Sequence, residues 1–147
     1  MKFFLYADNL NPSQLKTRAP EHKMSGRAYL PEHTIHFCRW STQWRCGLAS
    51  ITPSPGDRVW GVVFEITDED LKLLDEFEND LPPGAFHHLQ VTVVTEEGEK
   101  ILVTTHAAAP IGKFKPKEHY LEWVMKGVQH WKLPEECVEL WQSFTPR

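Results

Sequence analysis

Residues 58–66 read RVWGVVFEI and are apolar at nearly every position, with charge only at Arg58 and Glu65. A strand with one wet face alternates apolar and polar side chains. A run without that alternation is the pattern of a strand covered on both faces. This stretch is the expected central strand, and other elements must cover its two sides. The chain has 147 residues with which to do so. A length of this order buries roughly 68–70% of its unfolded surface around one core, so residues 1–147 are read as a single domain.

The flanking elements follow from turn and cap signals. Residues 2–6 are short and aromatic and run into Ala7, Asp8 and Asn9, a strand followed by a tight turn. Asn11 precedes Pro12, with Gln14 three residues on, which predicts an Asn-capped helix opening on proline with its body over residues 13–18. Extended pieces are expected from residue 21 to about residue 51, divided by Pro31 and by the polar stretch 41–45. Pro53, Ser54, Pro55, Gly56 and Asp57 read as a dense turn. Thr67 is placed to cap a second helix, acidic at Asp68, Glu69 and Asp70, that should fade over residues 79–84. A hairpin is expected next, its arms at 85–95 and 99–107 joined through Glu96, Glu97 and Gly98. Residues 117–131 carry apolar positions at helical spacing, and Pro134 opens a last helix reaching about Phe144.

Charge and cysteine content narrow the partners. Sixteen basic against 20 acidic residues leave a formal net charge of −4, which gives no broad positive field for a phosphate backbone, so nucleic acid is not expected. No apolar run approaches the ~20 residues that cross a bilayer, so no membrane is expected either. Cys38, Cys46 and Cys137 are an odd number without metal-type spacing, and the opening turns polar after six residues, too early for a signal peptide. The expected compartment is the cytoplasm, with inert thiols. The six tryptophans sit mostly within apolar patterns and read as core and rim packing.

One acidic residue stands out by its direction. On a helix with about 100° per residue and Leu71 at zero, Leu74, Phe77 and Leu73 fall near 300°, 240° and 200°, which defines a buried arc of roughly 200° to 360°. Glu78 falls near 340°, inside the arc, while Asp75 sits at its edge near 40° and Glu76 outside it near 140°. A carboxylate aimed at a core is held neutral or paired, and desolvation raises its pKa toward the range of a general acid or base. The same geometry leaves open that the helix has ended by residue 78 and that Glu78 is solvated. The histidines suggest less. His33 with His36, and His87 with His88, point to opposite faces of a strand, so neither pair chelates by itself and no metal centre is expected.

Three segments together resemble the gamma-glutamylcyclotransferase family. The first is FLYADNL, Phe4 to Leu10, where the family has an aromatic strand running into Tyr-Gly-Ser-Asn-Leu. The second, residues 47–65, carries Gly-x-Ala and then Gly-Asp-x-Val-Trp-Gly-Val-Val almost unaltered, and the third is LDEFE, Leu74 to Glu78, similar to Leu-Asp-x-x-Glu. The resemblance spans roughly residues 3–144. It implies an α+β fold, a compact mixed closed β-barrel with helices packed around it. It also implies a cofactor-free reaction that turns a small-molecule γ-glutamyl amine or amino acid into 5-oxoproline and free amine. By the same resemblance Glu78 takes the acid/base role, and backbone N–H groups of Tyr6, Ala7, Asp8, Asn9 and Leu10 form the substrate cradle.

The departures from the pattern cluster at that expected site. Ala7 replaces a glycine, and its methyl group would be strained if the position needs positive φ. Asp8 replaces a serine and brings either a negative charge against a substrate carboxylate or a local turn cap. Phe86 and His106 stand where relatives carry tyrosines; His106 can restore a polar contact and Phe86 cannot. Two readings remain from the sequence, a cyclotransferase with an altered substrate and a non-catalytic binder of a small amine or amino acid on the same fold.

Overall fold

The expected central strand is the second half of a longer element. In the computed structural model, which describes residues 1–77 and 85–146, Cys46–Glu65 forms one 20-residue strand, β3, antiparallel to the 19-residue β2 at Lys23–Ser41. With β1 (Lys2–Leu5), β4 (Phe86–Thr95) and β5 (Lys100–Ala108) they make a closed barrel in the order β1, β3, β2, β4, β5. The short first strand closes it, pairing antiparallel with β3 on one side and parallel with β5 on the other, which makes the barrel mixed. Among the described residues four α-helices accompany it: α1 (Pro12–Arg18), α2 (Asp68–Phe77), α3 (Glu118–His130) and α4 (Glu135–Gln142).

The continuous apolar run of β3 has the reason expected of it. Residues 61–64 are all buried, because alternate side chains of a barrel strand face its interior and its outer shell, and here both are filled. Leu15, Leu74 and Val124 from the helices belong to the same buried cluster as Phe4, Val62 and Val93 from the strands. Gly61 is required by close approach, since a Cβ there would overlap the Leu5 carbonyl oxygen on β1.

Three local expectations are corrected. Pro31 does not divide β2; it pairs with Arg58, and the next pair is His33 with Pro53, so Glu32 alone faces residues 54–57. The proline-rich stretch is thus a bulge inside β3 rather than a break. Glu32 has φ 62° and Gly56 φ 84°, and the Gly56 N–H donates to the Glu32 carboxylate at 3.1 Å. At α1, Asn11 Oδ1 accepts the Ser13 N–H at 3.0 Å as the cap requires. Gln14, however, does not reach back to close a capping box, because its amide is drawn to the preceding turn. On α2, Leu74 is fully buried but Phe77 is 37% exposed, its ring turned to the Arg18 guanidinium rather than the core.

The other elements stand where the signals put them. Thr67 and Asp70 cap α2 reciprocally, the Asp70 N–H donating to Thr67 Oγ1 and the Thr67 N–H to Asp70 Oδ2, each at 3.1 Å. All three cysteines are buried and none is in a disulfide, and burial pushes the Cys137 thiol up to about 12, which keeps it inert. Among the described residues, no helix is long and apolar enough to cross a membrane. The expected end of α2 over residues 79–84, and Glu78 itself, lie outside the described residues.

Candidate functional site

A cavity opens where β1 ends. Its walls are Tyr6, Ala7, Asp8 and Asn9 from the turn after β1, Leu48 and Ala49 from β3, Phe86 from β4, and Thr105 and His106 from β5, over Phe4 and Leu5. The cavity volume is about 40 Å³, small beside the roughly 300–1,000 Å³ of a typical ligand pocket. The slot is narrow and suits the end of a small polar ligand.

The turn that forms one wall is held from behind. Asp8–Leu10 is a single 3-10 turn, in which the Leu10 N–H donates to the Ala7 carbonyl at 3.0 Å. Gln14 Nε2 donates to both Asp8 Oδ2 and Asn9 Oδ1 at 2.7 Å, and Gln14 Oε1 accepts the Trp123 indole N–H at 2.7 Å. The buried Arg18 donates to Asn9 Oδ1 at 3.1 Å and lies 3.7 Å from Asp8 Oδ2. Tyr120, fully buried on α3, donates its hydroxyl to Asp8 Oδ1 at 3.1 Å and accepts the Ala49 N–H at 3.3 Å. Burial pushes the Tyr120 phenol well above the usual tyrosine range, so it remains a donor.

The structure sorts the consequences of the substitutions. Ala7 has φ −134° and ψ −129°, outside the left-handed region, so the position does not call for a glycine's positive φ. Asp8 does not stand as an isolated charge: both oxygens accept hydrogen bonds and Arg18 offsets it. Tyr6 uses its hydroxyl on the His106 carbonyl, at 2.8 Å, tying the turn to β5. Leu10 is not among the residues lining the cavity. It is fully buried, and its carbonyl accepts the Trp131 indole N–H at 2.8 Å.

His106 faces two ways. It lines the cavity, and its Nε2 lies 3.0 Å from Asp75 Oδ1 on α2. Burial holds its imidazole below the usual histidine range, against the opposing pull of the Asp75 carboxylate, so the contact is that of a neutral ring. Nδ1 of the same ring is buried and has no partner among the described residues. His88 Nε2 approaches the same Asp75 oxygen at 2.9 Å.

The comparisons with known proteins coincide with this architecture. Residues 58–140 match the model of the AIG2-like family. The chain is 31% identical to the gamma-glutamylcyclotransferase of Homo sapiens over 153 residues, covering 98% of this chain and 78% of that one. It is 29% identical to the gamma-glutamylcyclotransferase of Bos taurus, with the same coverage. The chain belongs to the gamma-glutamylcyclotransferase-like family. A solved structure described as a gamma-glutamyl cyclotransferase superposes with a TM-score of 0.92 at 28% identity, covering 100% of this chain and 89% of that one.

Within this gamma-glutamylcyclotransferase-like chain the structure brings Tyr6, Ala7, Asp8, Asn9, Phe86 and His106 to one cavity. Sequence reasoning missed the supports of the turn (Gln14, Arg18, Tyr120 and Trp123) because each acts across more than one element. It also missed the meeting of Asp75, His88 and His106. The hairpin turn carries that signal: with Val94 opposite Lys100, counting back along both arms sets His88 opposite His106. His33, by contrast, is engaged locally, its Nδ1 2.9 Å from the Pro31 carbonyl. Trp44 and Trp131 are half-buried against the core.

Proposed function

We propose that the protein is a cyclotransferase that converts a γ-glutamyl amine or γ-glutamyl amino acid to 5-oxoproline and the free amine. The observation that carries this reading is the cavity built on the turn at Tyr6, Ala7, Asp8 and Asn9, in a chain of this family. The glutamyl end of the substrate enters the slot and is held by the backbone N–H groups of the turn. Its α-amine, with an ordinary pKa near ~8, gives up a proton and attacks its own γ-carbonyl. The bond to the departing amine breaks, and that amine receives the proton.

Glu78 is the group proposed to carry the proton both ways. It follows Phe77, the last described residue of α2, and Phe77 is joined through Arg18 to the turn. Holding the substrate bent for five-membered ring closure supplies the orientation, for which effective molarities of order 10⁵–10⁸ M are known in intramolecular reactions. Main-chain donors at the turn stabilise the oxyanion that develops on the γ-carbonyl. The pairing of Asp8 with Arg18 and Gln14 leaves the cradle open to a substrate carboxylate despite the extra acidic residue.

The test is a screen of γ-glutamyl amines and γ-glutamyl dipeptides for 5-oxoproline release by the purified chain. Turnover of at least one class supports the reading. Saturable binding of these compounds with no turnover of any of them would replace it with that of a non-catalytic binder.

A further inference from the structure

Asp75, His88 and His106 form a cluster to which the proposed cyclisation assigns no proton transfer. The two rings lie on directly paired positions of β4 and β5, with centroids 5.1 Å apart and planes 33° from parallel. Both turn Nε2 toward one oxygen of Asp75, at 2.9 Å and 3.0 Å. One ligand atom from each of the three residues lies within 4.8 Å of the other two.

We propose that Asp75, His88 and His106 bind one divalent first-row transition-metal ion of the zinc type at the rim of the cavity. Two imidazoles and one carboxylate are the donor set that such ions take, and three protein ligands leave a coordination position open. Bonds of about 2.0–2.1 Å around a tetrahedral ion hold its ligand atoms about 3.3 Å apart, close to the two separations from Asp75. The remaining adjustment falls on exposed groups: the side chains of Asp75 and His88 are 45% and 42% exposed, whereas that of His106, at 8%, is held in place by burial. Their exposure also gives the ion its way in. Three chain segments would then be joined at one point, the end of α2 and the two arms of the hairpin. Because His106 also lines the cavity, the ion would lie beside the ligand slot. The proposal does not depend on the cyclotransferase reading, since binding alone reads it out.

The experiment uses the full chain, stripped with a chelator and titrated with zinc chloride by calorimetry and with cobalt(II) chloride by visible absorption. The expected result is one equivalent bound, with affinity reduced at least tenfold in Asp75→Asn and in His88→Gln. The His87→Gln variant, whose ring lies on the other face of β4, should bind as the parent does. Both altered ligands are surface-accessible, and unchanged circular dichroism checks that the variants fold. Failure to bind one equivalent, affinity undiminished in Asp75→Asn and His88→Gln, or an equal loss in His87→Gln would overturn the proposal.

Discussion

The guanidinium of Arg18 lies 4.6 Å from the centroid of the Phe77 ring, and the same group donates to Asn9 at 3.1 Å. One buried cation thus links the turn that walls the cavity to the last described residue of α2. Replacing it leaves Asn9 with one donor fewer and Asp8 without its counter-charge. Arg18→Met should destabilise the fold by about 2–3 kcal/mol, since removing one partner of a buried polar set leaves the others uncompensated. Urea denaturation with an unchanged m-value checks this. The substrate KM should rise together with the loss of stability.

Gly127 on α3 tests the support of the turn from the opposite side. A Cβ there would overlap the Leu10 carbonyl and the Asn11 backbone nitrogen, and neither can retreat without moving the turn. Gly127→Ala should cost about 1–3 kcal/mol, despite alanine's better helix propensity. The check is thermal unfolding with ligand-binding titration, and a stabilised variant would show that the helix and turn are not locked together.

How much of this was legible in the sequence can be judged from single residues. The unbroken apolar run 58–66 announced a strand buried on both faces, and Asn11 with Pro12 announced the start of α1, because both signals are local. Pro31 and the stretch 53–57 misled for the same reason. Their turn chemistry is real, but the register of two long strands absorbs it as a bulge. Phe77 was assigned to the core by helical direction, yet a cation from another helix holds it at the surface. Gln14, three residues after the Asn11 cap, bridges Asp8 and Asn9 to Trp123, partners more than 100 residues apart in the chain. Cross-strand and cross-helix contacts of this kind are set by register and packing, which no local window contains.

Histidine 36 supplies a pH signature. Burial holds its imidazole below the usual histidine range, and its Nε2 has no partner among the described residues. The unfolded chain, with an ordinary value near ~6.5, therefore binds this proton more readily than the folded one. The stabilising difference is fully present above that value and is lost as pH falls below it. Chemical denaturation between pH 7 and pH 5 should show stability declining, and His36→Gln should flatten the decline. An equal slope in the variant would remove the assignment.

Asp70 ties α2 to the chain leading into β2. Fully buried, it accepts the Thr67 N–H and, through its other oxygen at 3.1 Å, the Glu21 N–H. Asp70→Ala should lower stability by about 1–3 kcal/mol, through loss of the cap and exposure of unpaired donors. Thr67→Ala, which removes one hydroxyl, should cost nearer 1 kcal/mol. Unfolding midpoints of the two variants check the order.

The proposed chemistry comes down to proton transfer at position 78. The direct measurement is the initial rate of 5-oxoproline release from the best γ-glutamyl substrate, compared between the parent chain and Glu78→Gln at matched folding. A fall of about 10²–10⁴-fold in kcat, the usual worth of a positioned general acid/base, is the predicted result. Release continuing at the parent rate in Glu78→Gln would contradict the account.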